Sequence, residues 1–106
     1  MLKIQSGDVY FAKIKNNTLP VVVIGEPTNK SIRVLRIAHF GKDKPKGLLS
    51  VPLKDVPNVI EGSVVVNASY ILQPKDFIKQ LGAVNEIMKE EISRFVKYTE
   101  RQGVLH

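Results

Sequence analysis

Over the first two-thirds of the chain, hydrophobic residues either alternate with polar ones or cluster in short β-branched blocks. Only the last quarter changes to the three-and-four spacing of an amphipathic helix. Strands followed by helices predict an α+β fold that is mainly β. Val9 to Lys15 sets Tyr10, Ala12 and Ile14 against Val9, Phe11 and Lys13, and Asn16-Asn17-Thr18 supplies turn chemistry. Leu19 to Ile24 is a continuous apolar run, which reads as a strand covered on both faces, with Pro20 near its entry. Gly25 to Lys30 is the next turn. From Ser31 to His39 one face carries Arg33, Leu35, Ile37 and His39, and the other Ile32, Val34, Arg36 and Ala38.

Gly41 to Gly47 is a loop holding Lys42, Lys44 and Lys46 with a single Asp43. Leu48 to Leu53 fits an edge strand limited by Pro52. Val64 to Asn67 and Ser69 to Leu72 read as two further short strands. Pro74 to Leu81 predicts a short helix stopped by Gly82. Asn85 to Gln102 predicts a long one, with Val84, Ile87, Met88, Ile92, Phe95 and Val96 on its apolar face and Gly103 as its stop.

Composition narrows the picture. A chain of 106 residues with no linker or repeat predicts a single domain over 1–106, and 43% hydrophobic residues suffice for one core. Cysteine is absent and only His39 and His106 offer imidazole, so neither a disulfide nor a metal site is expected, and no cofactor motif appears. No apolar run reaches the roughly 20 residues of a membrane span, and the N-terminus lacks a signal-peptide stretch. A cytoplasmic protein without a membrane partner is expected. The net charge of +6 is uneven: residues 1–53 hold nine basic and three acidic side chains, residues 54–106 seven of each. A concentrated positive field suits a polyanion, either nucleic acid or an acidic protein segment.

The order of segments resembles the MazF/PemK (Kid-like) toxin family of type II toxin–antitoxin systems. Gly7-Asp8-Val9-Tyr10-Phe11 is similar to its opening strand, and Leu19-Pro20-Val21-Val22-Val23-Ile24 to its Arg-Pro-Val-Leu-Val-Ile strand. Ser63 to Asn67 with Tyr70-Ile71 resembles its late strand, and Leu81-Gly82 its turn into the last helix. The resemblance implies an SH3-like, strongly bent small barrel with a short helix and a long C-terminal amphipathic helix, usually a homodimer. It implies metal-independent cleavage of single-stranded RNA, with the 2′-hydroxyl attacking the adjacent phosphate, and an acidic antitoxin protein that blocks the groove. Three positions depart from the family. Its phosphorane-stabilising Arg is Leu19 here, its Thr falls within Ala38-His39-Phe40, and the late-strand Asp of the Kid branch is Asn67.

Transesterification needs a proton acceptor, a proton donor and a cation at the phosphate. His39 is the internal side chain suited to proton transfer, and Arg36 to bidentate phosphate binding. Lys42, Lys44 and Lys46 add point charges. Lys13, Lys15, Asn16 and Asn17 belong to the first hairpin, which in the family overhangs the site, and Asn67 and Ser69 offer base or sugar contacts. Two alternatives stay open: a family member that binds nucleic acid or protein without cutting, and a CcdB-like topoisomerase poison acting through an exposed Val104-Leu105-His106 tail.

Overall fold

The structure is a computed structural model describing residues 3–101. Gly103 and the 104–106 tail of the sequence reading lie outside the described residues. The elements are β1 (Asp8–Ile14), β2 (Asn17–Ile24), β3 (Ile32–Ala38), β4 (Ser50–Pro52), β5 (Val64–Leu72), a 3-10 turn (Pro74–Asp76), β6 (Phe77–Ala83) and α1 (Glu86–Arg101). The six strands form one antiparallel sheet in the order β4-β5-β3-β2-β1-β6. β4 and β6 do not pair, so the sheet is open rather than a closed barrel.

Both faces of the sheet are buried. On one, Val9, Val22, Ile24, Leu35, Ile37 and Val65 pack with Met88 and Ile92 of α1, and with Leu53, Val56 and Val59 of the segment before β5. On the other, Tyr10, Ala12, Val21, Val23, Ile32 and Val34 pack with Leu72 and Phe77. Among the described residues no α-helix lies over that second face. Its burial therefore comes from the sheet curling on itself, helped by the half-buried Ile4, Leu19 and Tyr70. The bend has a local cause. Leu35 stands opposite Ser69 and Ile37 opposite Val65, so Arg36 alone faces Val66, Asn67 and Ala68. Two extra residues keep the inside-outside parity while bending the strand, and the two short strands of the sequence reading become one bulged strand.

The last helix forms as its spacing predicts. Asn85 caps it, its Oδ1 accepting from the Met88 amide at 2.8 Å. Ile87 departs from the expected apolar face and is 75% exposed, while Thr99 is fully buried with its hydroxyl donating to the Val96 carbonyl at 2.9 Å. The Pro74–Leu81 helix is corrected to a single 3-10 turn. Asp76 accepts from the Gln73 amide at 2.9 Å and its own amide returns to the Gln73 carbonyl. Beyond it the chain runs on as β6 and pairs with β1, with Phe77 opposite Ala12 and Leu81 the unpaired residue between Gln80 and Gly82. Helix-start chemistry is real there, but Phe77 and Leu81 gain more from burial in the two cores than from one more exposed turn.

Candidate nucleic-acid interface

The β1–β2 hairpin turns at Lys15-Asn16, both at positive φ (48° and 69°), with Ile14 opposite Asn17. This is a two-residue turn of the mirror-image type that suits strand twist. Asn17 and Thr18, expected in the turn, begin β2 instead. In such a hairpin the flanking pair exchanges both hydrogen bonds. Leu19 and Val21 thus point their amides at β1, and Thr18, Pro20 and Val22 face β3. Pro20 has no amide proton, and the β2–β3 ladder stops one residue past it, at Val21 opposite Arg36. Pro20 therefore does more than sit at a strand entry. The first half of β2 pairs only with β1, so beside Pro20 the sheet has a notch in its ladder, where β2 and the end of β3 run without pairing to each other.

The end of β3 and the loop after it form the other wall. β3 ends where β2 begins, so His39 and residues 41–47 lie at the hairpin's end of the sheet. His39 is exposed. A methyl group placed on Gly62 would stand 3.5 Å from its Nε2, so the ring rests beside that glycine. Gly41 and Gly47 take positive φ and bracket the loop, the Asp43 amide donates to the Phe40 carbonyl at 2.9 Å, and Lys42, Lys44 and Lys46 are exposed. Lys13, Lys15, Asn16 and Asn17 are exposed across the notch.

Arg36 projects from the second face, opposite Val21 and beside Val34. Leu19, two residues before Val21, shares that face. Arg36 is half-buried, and its Nε is fully buried with no hydrogen-bond partner among the described residues. His39 lies one residue past the end of β3, where continued alternation puts it on the side of Leu35 and Ile37, opposite Arg36. Asn67 occupies the bulge opposite Arg36. Ser69 is elsewhere: it accepts from Arg33 Nε at 3.4 Å, and Arg33 pairs with Glu100 of α1 at 3.1 Å. That group lies at the other end of β3, so the structure does not bring Ser69 to the hairpin and the lysine loop.

A cleft of about 730 Å³ lies away from this interface, between α1, the end of β2 and the start of β3, lined by residues such as Ile24, Arg33, Val96 and Glu100. Among the described residues no cluster of three or more His, Asp or Glu is placed to hold a metal ion. In the core, burial, with the Asp8 carboxylate as a lesser cause, pushes the Tyr10 phenol up from 10.0. No helix of the described residues is long and apolar enough to cross a membrane.

The architecture defines a mainly β α+β domain with a notched, lysine-rich sheet end. Among solved structures it is similar to an endoribonuclease in complex with its cognate antitoxin from Mycobacterial species, with a TM-score of 0.72, 15% identity, and coverage of 91% of this chain and 93% of that one. At that identity the likeness establishes the fold. No family model and no curated protein matches the sequence.

Proposed function

We propose that this protein is the toxin of a toxin–antitoxin pair, an endoribonuclease of the MazF/PemK kind that acts on single-stranded RNA in the cytoplasm, forms a homodimer, and is held in check by an acidic antitoxin. The observation that carries the reading is Arg36: a cation with a buried, unpartnered Nε, one strand away from Leu19 and on the same face. Leu19 stands where the resembling family keeps its phosphate-binding Arg, and Arg36 supplies a guanidinium to that neighbourhood from the adjacent strand. The likeness in fold to an endoribonuclease bound to its antitoxin supports the same reading.

In this reading RNA enters the notch between the hairpin and the 41–47 loop. The 2′-oxygen forms a bond to phosphorus and the bond to the 5′-oxygen breaks, leaving a 2′,3′-cyclic phosphate and a 5′-hydroxyl. His39 takes the 2′-hydroxyl proton, the 5′-oxygen gains a proton in exchange, and Arg36 meets the charge on the phosphoryl oxygens. His39 is the first residue past the end of β3, so a strand crossing that end passes both groups despite their opposite faces.

That opposition also favours a second reading, binding without cleavage. Incubation with a long unstructured RNA in EDTA, followed by mapping of product ends, separates the two. Defined cuts with cyclic phosphate ends, lost in His39→Ala and Arg36→Ala, are expected for the nuclease. Intact RNA at micromolar protein, with salt-sensitive binding retained, refutes cleavage and leaves the binding module.

A further inference from the structure

Residues 54–106 are neutral as a stretch, and α1 is neutral too, with four acidic and four basic side chains. Lys75 and Lys79 fold elsewhere. Because β6 runs antiparallel to β1, its start lies beside the end of β1, at the hairpin. Lys79 stands opposite Phe11, which shares a face of β1 with Lys13, so Lys79 and Lys13 are diagonal neighbours. The 3-10 turn carrying Lys75 packs beside β1 as well. Both lysines are exposed, and neither has an ion-pair partner among the described residues. The one nearby acid, Asp76, has an oxygen occupied by the Gln73 amide at 2.9 Å. Between them the ladder carries a bulge: Phe77 and Lys79 pair with consecutive residues of β1, so Ile78 is the extra residue and is 58% exposed.

We infer that Lys75, Ile78 and Lys79 form a second nucleic-acid contact on the outer side of the hairpin, which takes the phosphodiester backbone of a single strand after it leaves the notch. The inference rests on the proposed RNA-binding reading and extends its footprint beyond the hairpin and the 41–47 loop. The two ammonium groups neutralise phosphates without reading sequence, and Ile78 offers an apolar rest for a sugar or base face between them. An acidic protein segment is the competing polyanion, but an exposed isoleucine between two unpaired lysines fits a chain that alternates charge with apolar faces.

The test uses the full chain and a 2′-O-methyl oligonucleotide of unstructured sequence, which lacks the 2′-hydroxyl and stays intact. Affinity is measured from low to moderate salt for the wild type, Lys75→Glu/Lys79→Glu, Lys42→Glu/Lys44→Glu, and a charge-matched control, Lys97→Glu/Arg101→Glu, on the far end of α1. Thermal melts confirm that each variant is folded. Two lost contacts reduce the slope of log affinity against log salt by about 1.4, and affinity at 0.1 M salt by on the order of 25-fold. That result with a control near wild type supports the contact. An equal loss in the control reduces the effect to net charge and overturns it. Normal binding by the Lys75/Lys79 variant, with loss only in the Lys42/Lys44 variant, overturns the second contact while the RNA-binding reading stands. A wild type that ignores the oligonucleotide refutes both, and if it binds polyglutamate through Lys75 and Lys79 instead, the surface belongs to an acidic protein.

Discussion

Replacing Arg36 with Met should stabilise the fold and, if the proposed RNA site is right, weaken oligonucleotide binding, and the structure gives the first effect its size. The Arg36 stem is half-buried within the sheet, its Nε is fully buried, and nothing among the described residues accepts from it. A buried donor without a partner costs about 1–3 kcal/mol. Methionine keeps a long flexible stem in the same space and removes the donor, so a net gain of about 1–2 kcal/mol is expected once partial exposure of the group is discounted. For a domain of this size that raises the melting temperature by about 4–8 °C for each kcal/mol. In urea it moves the midpoint by roughly 1 M. Ligand linkage supplies the functional half. A 2′-O-methyl oligonucleotide at a hundred times its dissociation constant should stabilise the wild type by about 2.7 kcal/mol, and Arg36→Met far less at the same concentration. Thermal and urea denaturation with and without the oligonucleotide measure both. A destabilisation of Arg36→Met by more than about 1 kcal/mol would refute the reasoning, because it would mean that the stem and remaining donors of Arg36 contribute more than its unsatisfied Nε costs.

Three further outcomes are expected. A Cβ on Gly82 would meet Cγ and Cδ of Pro57 at 3.1 and 3.2 Å, so Gly82→Ala should cost stability in urea denaturation by up to about 1 kcal/mol, and Pro57→Ala in the same chain should remove that cost. Lys15 and Asn16 both sit at positive φ, so Lys15→Asn with Asn16→Gly should stabilise the hairpin by about 0.5–1 kcal/mol while weakening oligonucleotide binding, read by melting and titration. Burial raises the Tyr10 phenol above its unfolded value of 10.0. The stability this represents is whole below pH 10 and is lost as pH rises through the folded value, so melts above pH 10 should fall more steeply in the wild type than in Tyr10→Phe.

The legible parts of the fold were those where one local signal decided the outcome. The apolar block from Val21 to Ile24 is buried on both faces, as a run without alternation requires, and α1 buries Met88 and Ile92 on the spacing that predicts it. The errors fall where two signals competed. Pro74 and Asp76 do begin a helical turn, but Phe77 and Leu81 are drawn to opposite faces of a sheet that already needs an edge strand. Ile87 satisfies the helical period and still faces water, because α1 meets the sheet along a narrower stripe than the period alone implies. The β5 bulge left no trace in the sequence, since two extra residues preserve alternation.

The same logic explains which parts of the site could be read in advance. Lys13, Lys15 and the 41–47 loop flank turns, and turns at one end of a sheet meet whatever the fine register is. Whether a strand residue joins them depends on register and on which face it takes. Arg36 lies in β3 and His39 one residue past its end, three positions apart, an odd separation that alternation sends to opposite sides. Ser69 lies two residues beyond Asn67, yet the register carries it toward Arg33 and Glu100. Lys75 and Lys79 were invisible because the charge of residues 54–106 cancels in a count, and only the β1–β6 register brings the two lysines beside the hairpin. Pro20 ties these observations together. A missing amide proton ends one ladder, and the notch that results has lysines on its rim and the unpartnered Nε of Arg36 on the face it shares with Leu19. Restoring an amide there, as in Pro20→Val, should extend the β2–β3 ladder toward Leu19 and narrow the notch. Hydrogen exchange would then show new protection at residue 20, and oligonucleotide binding would fall although no charge was touched.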